Sequence, residues 1–353
     1  MTDQKPTKGL VIRGSRNLFT VRAEGKEIEC RIKGKVLKGV EGYYNPLAPG
    51  DIVEIDNGLI VGFEKRRNEF ARFNQKGQAP QLLAANVDLV VCVTSLASPP
   101  FRPRFLDRAL LQADIAGIPA VIVCNKYDLA VDEDTGLSGE EAWGIPFGDP
   151  DIEERLSDFE RIGYPVFRLS AKMTNPPLPE LRIEDNPFWA GLNEFRNFIA
   201  GKFSVLVGQS GVGKSSLIKA LIPELEIKTG VINEKYDRGK HTTTQGVLLE
   251  TLGEKGVADG TQAFSLPARI IDTPGIRRFA IAGIEVEDLI LYMREFAPLA
   301  GKCSYGLSCS HETEAGCKIM EAVDAGVIHE NRYESFLRIR DELAGKGSFP
   351  DTD

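Results

Sequence analysis

The stretch FSVLVGQSGVGKSSLIKALI, residues 203–222, constrains the fold more than any other part of this 353-residue sequence. An apolar, β-branched run leads into G-x-x-x-x-G-K-S and then into helix-forming residues. Such a loop requires a strand that ends where a helix begins, because backbone N–H groups and the helix N-terminus must converge on one anion. Runs of this kind alternate with helical patterns from residue 87 to about 275, which predicts a parallel sheet with crossover helices. The strands are expected at 87–93, 119–124, 164–170, 203–208 and 268–271, with helices at 103–117, 151–162 and 189–201 between them.

Chemistry enters through the ends of those strands. The loop supplies Gly208, Gln209, Ser210, Gly211, Val212, Gly213, Lys214, Ser215 and Ser216 as a phosphate-binding set, with Lys214 reaching the β- and γ-phosphates and the Ser215 hydroxyl on Mg²⁺. NKYD, residues 125–128, follows PAVIVC. A carboxylate at Asp128 accepts from both the ring N–H and the exocyclic amino group of guanine, a pair of donors that adenine lacks. Asn125 is expected on the outer edge of the base and Lys126 along its ring. SAK, residues 170–172, ends another strand, so Ser170, Ala171 and Lys172 join the set, with the Ala171 N–H facing the guanine carbonyl. DTPG at 272–275 places Asp272 to hold Mg²⁺ through water and the Gly275 N–H to meet the γ-phosphate. Between them, KHTTTQ at 240–245 supplies threonines that can close over Mg²⁺ and γ-phosphate, Thr243 first and Thr244 next. The substrate these groups specify is GTP.

Their order is NKYD, SAK, GQSGVGKS, HTTT, DTPG, which is the usual GTPase order cut between its third and fourth motifs. A sheet whose natural termini lie close together tolerates such a cut. The segment after DTPG then runs directly into the C-terminal region, and the N-terminal region hangs on the other cut end. Both flanks can therefore follow the nucleotide state. A glutamine just after DxxG commonly orients the attacking water. Here that position is Ile276, which can do no such thing, so the water needs another partner. His241 beside the threonines is the candidate. The catalytic set is accordingly His241, Lys214, Thr243 and Gly275.

Three domains are expected: residues 1–80, an all-β barrel of the OB type with a linker; 81–279, the permuted GTPase domain; and 280–353, a small, mostly α, metal-binding piece. Short alternating runs such as LFTVRA at 18–23 and DIVEID at 51–56 suggest the barrel. Net charge is −8, yet residues 1–80 hold 15 Lys and Arg against 10 Asp and Glu, a surplus of +5. A basic head on an acidic chain points to nucleic acid at that end. Tyr43, Tyr44, Arg66, Arg67, Phe70 and Arg72 are its candidate contacts. Cys303, Cys309, His311 and Cys317 crowd into CSYGLSCSHETEAGC. Three thiolates and an imidazole form a closed tetrahedral set for one structural Zn²⁺. Cys30, Cys92 and Cys124 sit in strand-like runs and read as core. A metal cluster in place of disulfides, no apolar run of 18 residues and no leader-like N-terminus place the chain in the cytoplasm, away from membranes.

With these residues in view, the chain resembles the ribosome small-subunit-dependent GTPases from about residue 10 to 340. The permuted order, G-K-H-T-T-T and the Cys-Cys-His-Cys cluster carry the resemblance. Two details depart from the family's pattern: five residues separate the first two zinc cysteines where four are usual, and Lys240 precedes the switch histidine where Arg is usual. The resemblance implies a monomer that binds the small ribosomal subunit and its rRNA, converts GTP to GDP and phosphate faster when bound there, and serves late subunit maturation. Other readings are a GTP-dependent factor on another RNA particle, or an RNA-binding module with only regulatory nucleotide binding. A metabolic P-loop kinase would need a second substrate pocket, for which the sequence offers no candidate.

Overall fold

The computed structural model describes residues 6–15, 17–34, 42–129, 150–172, 187–222, 246–251 and 266–346. The expected His241, Thr243 and Thr244 lie outside them.

The first five strands are β1 (Thr7–Ser15), β2 (Leu18–Ala23), β3 (Lys26–Ile32), β4 (Ile52–Asp56) and β5 (Leu59–Phe63). They pair in the order β1-β2-β3-β5-β4, and β4 returns to β1, so the sheet closes into a barrel. Two tight hairpins build it. Glu24-Gly25 and Asn57-Gly58 all have positive φ, the backbone that a two-residue turn between right-twisted strands demands. Inward-facing Val11, Phe19, Val21, Cys30, Val53, Ile55 and Ile60 fill the interior.

The chain then forms a hairpin, β6 (Glu69–Asn74) with β7 (Ala79–Ala85), before entering the second sheet. That sheet contains β8 (Leu89–Ser95), β9 (Ala120–Asn125), β10 (Val166–Arg168), β11 (Phe203–Gly208), β12 (Val247–Glu250) and β13 (Arg269–Asp272) in the order β10-β9-β8-β11-β13-β12. These pairs are all parallel except β12 with β13, and β12 also pairs antiparallel with β1 at Arg13–Val247, which joins this sheet to the barrel in one continuous ladder. The chain starts at β8, in the middle of the sheet. It runs outward to β10, then recrosses to β11 on the other side of β8. Helices α1 (Pro103–Ile115) and α2 (Pro150–Arg161) cover one face, with α3 (Pro187–Ile199) and α4 (Lys214–Leu221) on the other. Alternate strand residues divide accordingly: Val90, Cys92, Ile122 and Cys124 face α1 and α2, and Val91, Val93, Val121 and Val123 face α3 and α4. Cys30, Cys92 and Cys124 are wholly buried, as expected of core residues.

The C-terminal region packs helices Lys318–Asp324 and Glu330–Leu343 around Phe296, Ile319, Phe336 and the side chains of Cys303, Cys309 and Cys317, and Leu111 of α1 joins this core. Asp107 of α1 is buried there. It accepts from Arg155 of α2 at 2.9 Å, from Arg332 at 2.8 Å, and from the Ser335 hydroxyl. Arg332 is also paired with Glu295. An isolated buried arginine would be prohibitively costly, so this cluster fixes the C-terminal region on α1 and α2.

Three sequence expectations for the head need correction. Arg66 is not a surface contact: it is buried and forks onto Asp51 at 2.6 and 3.0 Å, with Pro46 O at 2.9 Å. Phe70 has no exposed surface and belongs to the core beneath α1. Arg72 is half-buried and bonded to Arg278 O and Gln81. The hairpin carrying Phe70 spans position 80, where the sequence suggests a domain break, and its apolar residues pack with the second sheet. Of the remaining candidates, Tyr43 bonds Glu69 and Arg67 pairs with Asp88, while Tyr44 is half exposed.

Candidate active site and metal centre

The C-terminal ends of β9, β10 and β11 bring three sequence motifs to one edge of the sheet. Asn125 ties them together. Its amide nitrogen donates to Val212 O of the phosphate loop at 3.1 Å, and its oxygen accepts from the Ala171 N–H at 3.0 Å. The Ala171 N–H expected on a guanine carbonyl therefore serves this tie. Asp128 is 4% exposed and accepts from the Ser170 hydroxyl. That bond engages one of its two carboxylate oxygens. Lys126, at φ 66, donates to Ser98 O, so its stem crosses over the loop beside Gly213. Tyr127 is buried and donates to Glu153 of α2, anchoring the turn from beneath.

The phosphate loop has little room for side chains at two places. A Cβ on Gly213, whose φ is 92, would lie 2.3 Å from Asn125 Nδ2, and one on Gly208 would lie 2.4 Å from Val93 O. Lys214 folds back, donating to Gly208 O at 2.8 Å and Gln209 O at 3.0 Å. Burial pulls its pKa down to about 8, against the opposing pull of Asp272. Burial likewise pushes Asp272 up to about 6, with Lys214 opposing. Asp272 Oδ1 is buried and has no hydrogen-bond partner among the described residues. An orphaned carboxylate oxygen facing an ammonium beside an anion-binding loop fits water-mediated Mg²⁺, which would be its missing partner. Ser215 is exposed at the first turn of α4. DTPG is docked on the loop: Thr273 Oγ1 donates to Leu206 O at 2.6 Å, and the Ile276 N–H to Gly208 O at 3.1 Å. Gly275 lies so close that a Cβ would come within 2.8 Å of Ser210 Cα. Ile276 itself is buried, which removes it from any role with water.

In the C-terminal region, one ligand atom each from Cys303, Cys309, His311 and Cys317 lies within 4.8 Å of the others, and all four residues are buried. Cys303 Sγ is 3.8 Å from Cys317 Sγ, and His311 Nδ1 is 3.5 and 3.4 Å from those two sulfurs. A tetrahedral zinc with Zn–S of about 2.3 Å and Zn–N of about 2.0 Å has S–S edges near ~3.8 Å and S–N edges near ~3.5 Å. The donor set and its spacing fit that ion. His311 adopts φ 61, and the Tyr333 hydroxyl holds its carbonyl at 2.6 Å, which turns the imidazole inward. The Lys318 N–H, at the start of a helix, donates to Cys303 Sγ at 3.3 Å and so favours a thiolate. The five-residue gap between Cys303 and Cys309 is taken up by the single turn Gly306–Ser308.

The description RsgA GTPase fits residues 63–282, more than half of the chain. The chain belongs to the RsgA GTPase family. A protein of Phocaeicola vulgatus called "Small ribosomal subunit biogenesis GTPase RsgA" is 33% identical over 348 residues, covering 96% of this chain and 98% of its own. The namesake of Chlorobaculum parvum is 32% identical over 350 residues, covering 95% and 97%. Among solved structures, YjeQ from Thermotoga maritima aligns with a TM-score of 0.62 at 28% identity, over 96% of this chain and 99% of that one. YloQ, described as a circularly permuted GTPase, aligns at 0.59 and 24% identity over 99% and 98%, a likeness of fold. RsgA membership makes the chain a GTP hydrolase with the permuted architecture set out above.

Within this RsgA site, Asn125, Asp128, Ser170, Ala171, Lys214, Asp272 and Gly275 are gathered at one edge. Lys172 is exposed beside them. Sequence reasoning missed Tyr127 and Ser98. No periodicity marks them, since each matters through a hydrogen bond to a residue more than twenty positions away in the chain. No helix among the described residues is long and apolar enough to cross a membrane.

Proposed function

We propose that this GTPase acts in late maturation of the small ribosomal subunit, as a cytoplasmic monomer that binds the subunit's rRNA and hydrolyses GTP faster when bound. The names of its relatives support the particle, and the basic head supports RNA as the contact. The observation that carries the nucleotide part is the Asn125 tie, which holds the base-reading turn, the phosphate loop and the SAK turn in one frame. Asp128 selects guanine. Lys214 leaves the loop carbonyls for the β- and γ-phosphates, and Ser215, Thr243 and, through water, Asp272 would hold Mg²⁺. When bound, Mg²⁺ neutralises charge building on the phosphate oxygens. The Gly275 N–H faces the γ-phosphate. His241 orients the water, whose oxygen bonds to the γ-phosphorus as the bond to the β–γ bridging oxygen breaks, leaving GDP and phosphate. One Zn²⁺ on Cys303, Cys309, His311 and Cys317 is structural, because four protein ligands leave no open position.

Turnover of the purified chain, alone and with small subunits, large subunits or tRNA, tests this. Small subunits alone should raise kcat, by ~10-fold or more if they order a loop populated part of the time. Equal stimulation by another RNA particle would assign the enzyme to that particle, and no stimulation by any would leave the RNA regulatory at most.

A further inference from the structure

After DTPG the chain is not a free loop. Ile276, Phe279, Ala280, Ile281 and Ala282 are buried, forming a strap between two partners. On one side stands β6. The Phe73 N–H donates to Ala280 O at 3.0 Å, Arg72 Nη1 donates to Arg278 O at 3.2 Å, and the Phe70 ring lies 5.8 Å from Phe279. On the other side stands α1. Phe105 meets Phe279 edge-on at 6.0 Å, and Gln112 both donates to Ala282 O at 3.1 Å and accepts from its N–H at 2.8 Å. The hairpin that supplies Arg72 is in turn fixed to the barrel. Arg66, forked on Asp51, reaches Glu69 at the start of β6 at 3.2 Å. Bonds thus run without a gap from the barrel to the segment that carries Gly275.

The two sides of the strap are not equally secure. Gln112 satisfies both backbone groups of Ala282. On the β6 side the Phe73 N–H holds Ala280 O, while Arg72 holds only Arg278 O, and its buried Nε–H has no partner among the described residues. A joint with an idle donor can be remade in a second arrangement more cheaply than one whose groups are all matched. The joint at Arg278 is three residues from Gly275, which is packed against the Ser210 backbone of the phosphate loop, so a shift there acts close to that contact.

We propose that Arg72 is a positioning residue for GTP hydrolysis: it fixes the strap on β6, and with it the Gly275 N–H against the γ-phosphate, and thereby connects that contact to the barrel. The proposal rests on reading Gly275 as the γ-phosphate contact. GDP has no γ-phosphate and is indifferent to the strap.

The test uses the full chain with Arg72→Ala and Arg72→Lys. Affinities for fluorescent GDP and for a non-hydrolysable GTP analogue, both with Mg²⁺, are measured with kcat, KM and melting temperature. Arg72→Ala should leave GDP affinity within about two-fold and weaken the analogue by ~3–10-fold, the worth of about one net hydrogen bond. Arg72→Lys, which keeps a donor for Arg278 O, should recover most of the loss. Equal weakening of both nucleotides would mean a merely structural role, and no change in either would remove Arg72 from the switch; each overturns the proposal. Gly275→Ala separates the underlying reading. If it fails to lower the analogue-to-GDP preference, the γ-phosphate assignment is wrong. If it lowers that preference and Arg72→Ala does not, only the role of Arg72 falls.

Discussion

The two halves of the nucleotide site are prepared in opposite ways. On the base side, Asn125, Asp128, Ser170 and Ala171 are buried and hydrogen-bonded to one another, so their geometry is fixed before a base arrives. On the phosphate side, Lys214 is turned back on its own loop and Asp272 keeps a buried oxygen with no partner among the described residues. The first half is preorganised and confers selectivity at little further cost in ordering. The second holds opposed, desolvated charges that a metal and phosphates would complete. The cysteine cluster belongs with the second kind: its four donors crowd together at metal-bonding separations. Rigid recognition and unfinished charge therefore sit on the same sheet edge, joined by the loop 208–215.

Removing a ligand from the most unfinished of these places should have the largest effect. Structural zinc contributes ~10–16 kcal/mol of apparent binding energy in small domains, and that energy is folding energy. Cys309→Ser should therefore abolish stoichiometric metal and unfold the C-terminal region, as read by elemental analysis and circular dichroism. GDP affinity should change only a few-fold, since none of the base-side bonds passes through the cluster. Full metal content in the variant would remove Cys309 from the set.

The base side makes the converse prediction, a change of selectivity without loss of fold. The Ser170 hydroxyl donates to one Asp128 oxygen. In Asp128→Asn the amide oxygen should keep that bond and the amide NH₂ should face the base. A donor there meets the guanine amino group badly and the 2-oxo group of xanthine well. The preference for GTP over xanthosine triphosphate should swing by ~10³-fold or more, as sites built around a specific hydrogen bond commonly discriminate. Competition binding with both nucleotides measures it, and unchanged GTP affinity would detach NKYD from the base.

On the phosphate side, His241→Ala should cost ~10²-fold in subunit-stimulated turnover, the usual worth of one acid–base group, with GTP affinity within a few-fold. Wild-type turnover by the variant on the small subunit would assign the water to another group, such as the RNA itself.

How much of this was legible in the sequence follows the same division. NKYD, SAK, GQSGVGKS and DTPG are short, contiguous and bound to strand ends, so each states its own context. The Cys/His set declares itself by spacing. The barrel's strands and the buried strands of the sheet were visible in period-2 and continuous apolar runs. Arg66, Phe70 and Arg72 were misplaced because a basic and aromatic stretch reads as a surface for nucleic acid until its partners are known. Those partners, Asp51, Phe279 and Arg278, are 15 to more than 200 residues away. The Asp107–Arg332 pair escaped for the same reason: at a separation of 225 residues, nothing local distinguishes a buried arginine from a solvated one.

The smallest effect is the most direct measure of the unfinished half. Asp272 in the folded protein has its pKa raised from 3.8 to about 6. Between those values the folded state holds more protons than the unfolded state, so stability of the nucleotide-free protein falls as pH rises through about 6. Lys214 has the opposite sign. Its pKa is lowered from 10.5 to about 8, so its penalty is present below about 8 and is relieved as pH rises toward 10.5. At neutral pH both groups are charged and both penalties stand, offset in part by their mutual attraction. Asp272→Asn removes the carboxylate but also the charge that supports Lys214, so only part of the gain survives. At 1.36 kcal/mol per pKa unit, discounted for that coupling, the variant should be more stable than the parent by ~1 kcal/mol at pH 7 without nucleotide, and less active. Urea unfolding at pH 5 and pH 7.5 reads the slope directly. The parent should lose stability between the two values relative to Asp272→Asn. Parallel behaviour of the two proteins would mean that Asp272 is already solvated or paired, and that the phosphate half is no less finished than the base half.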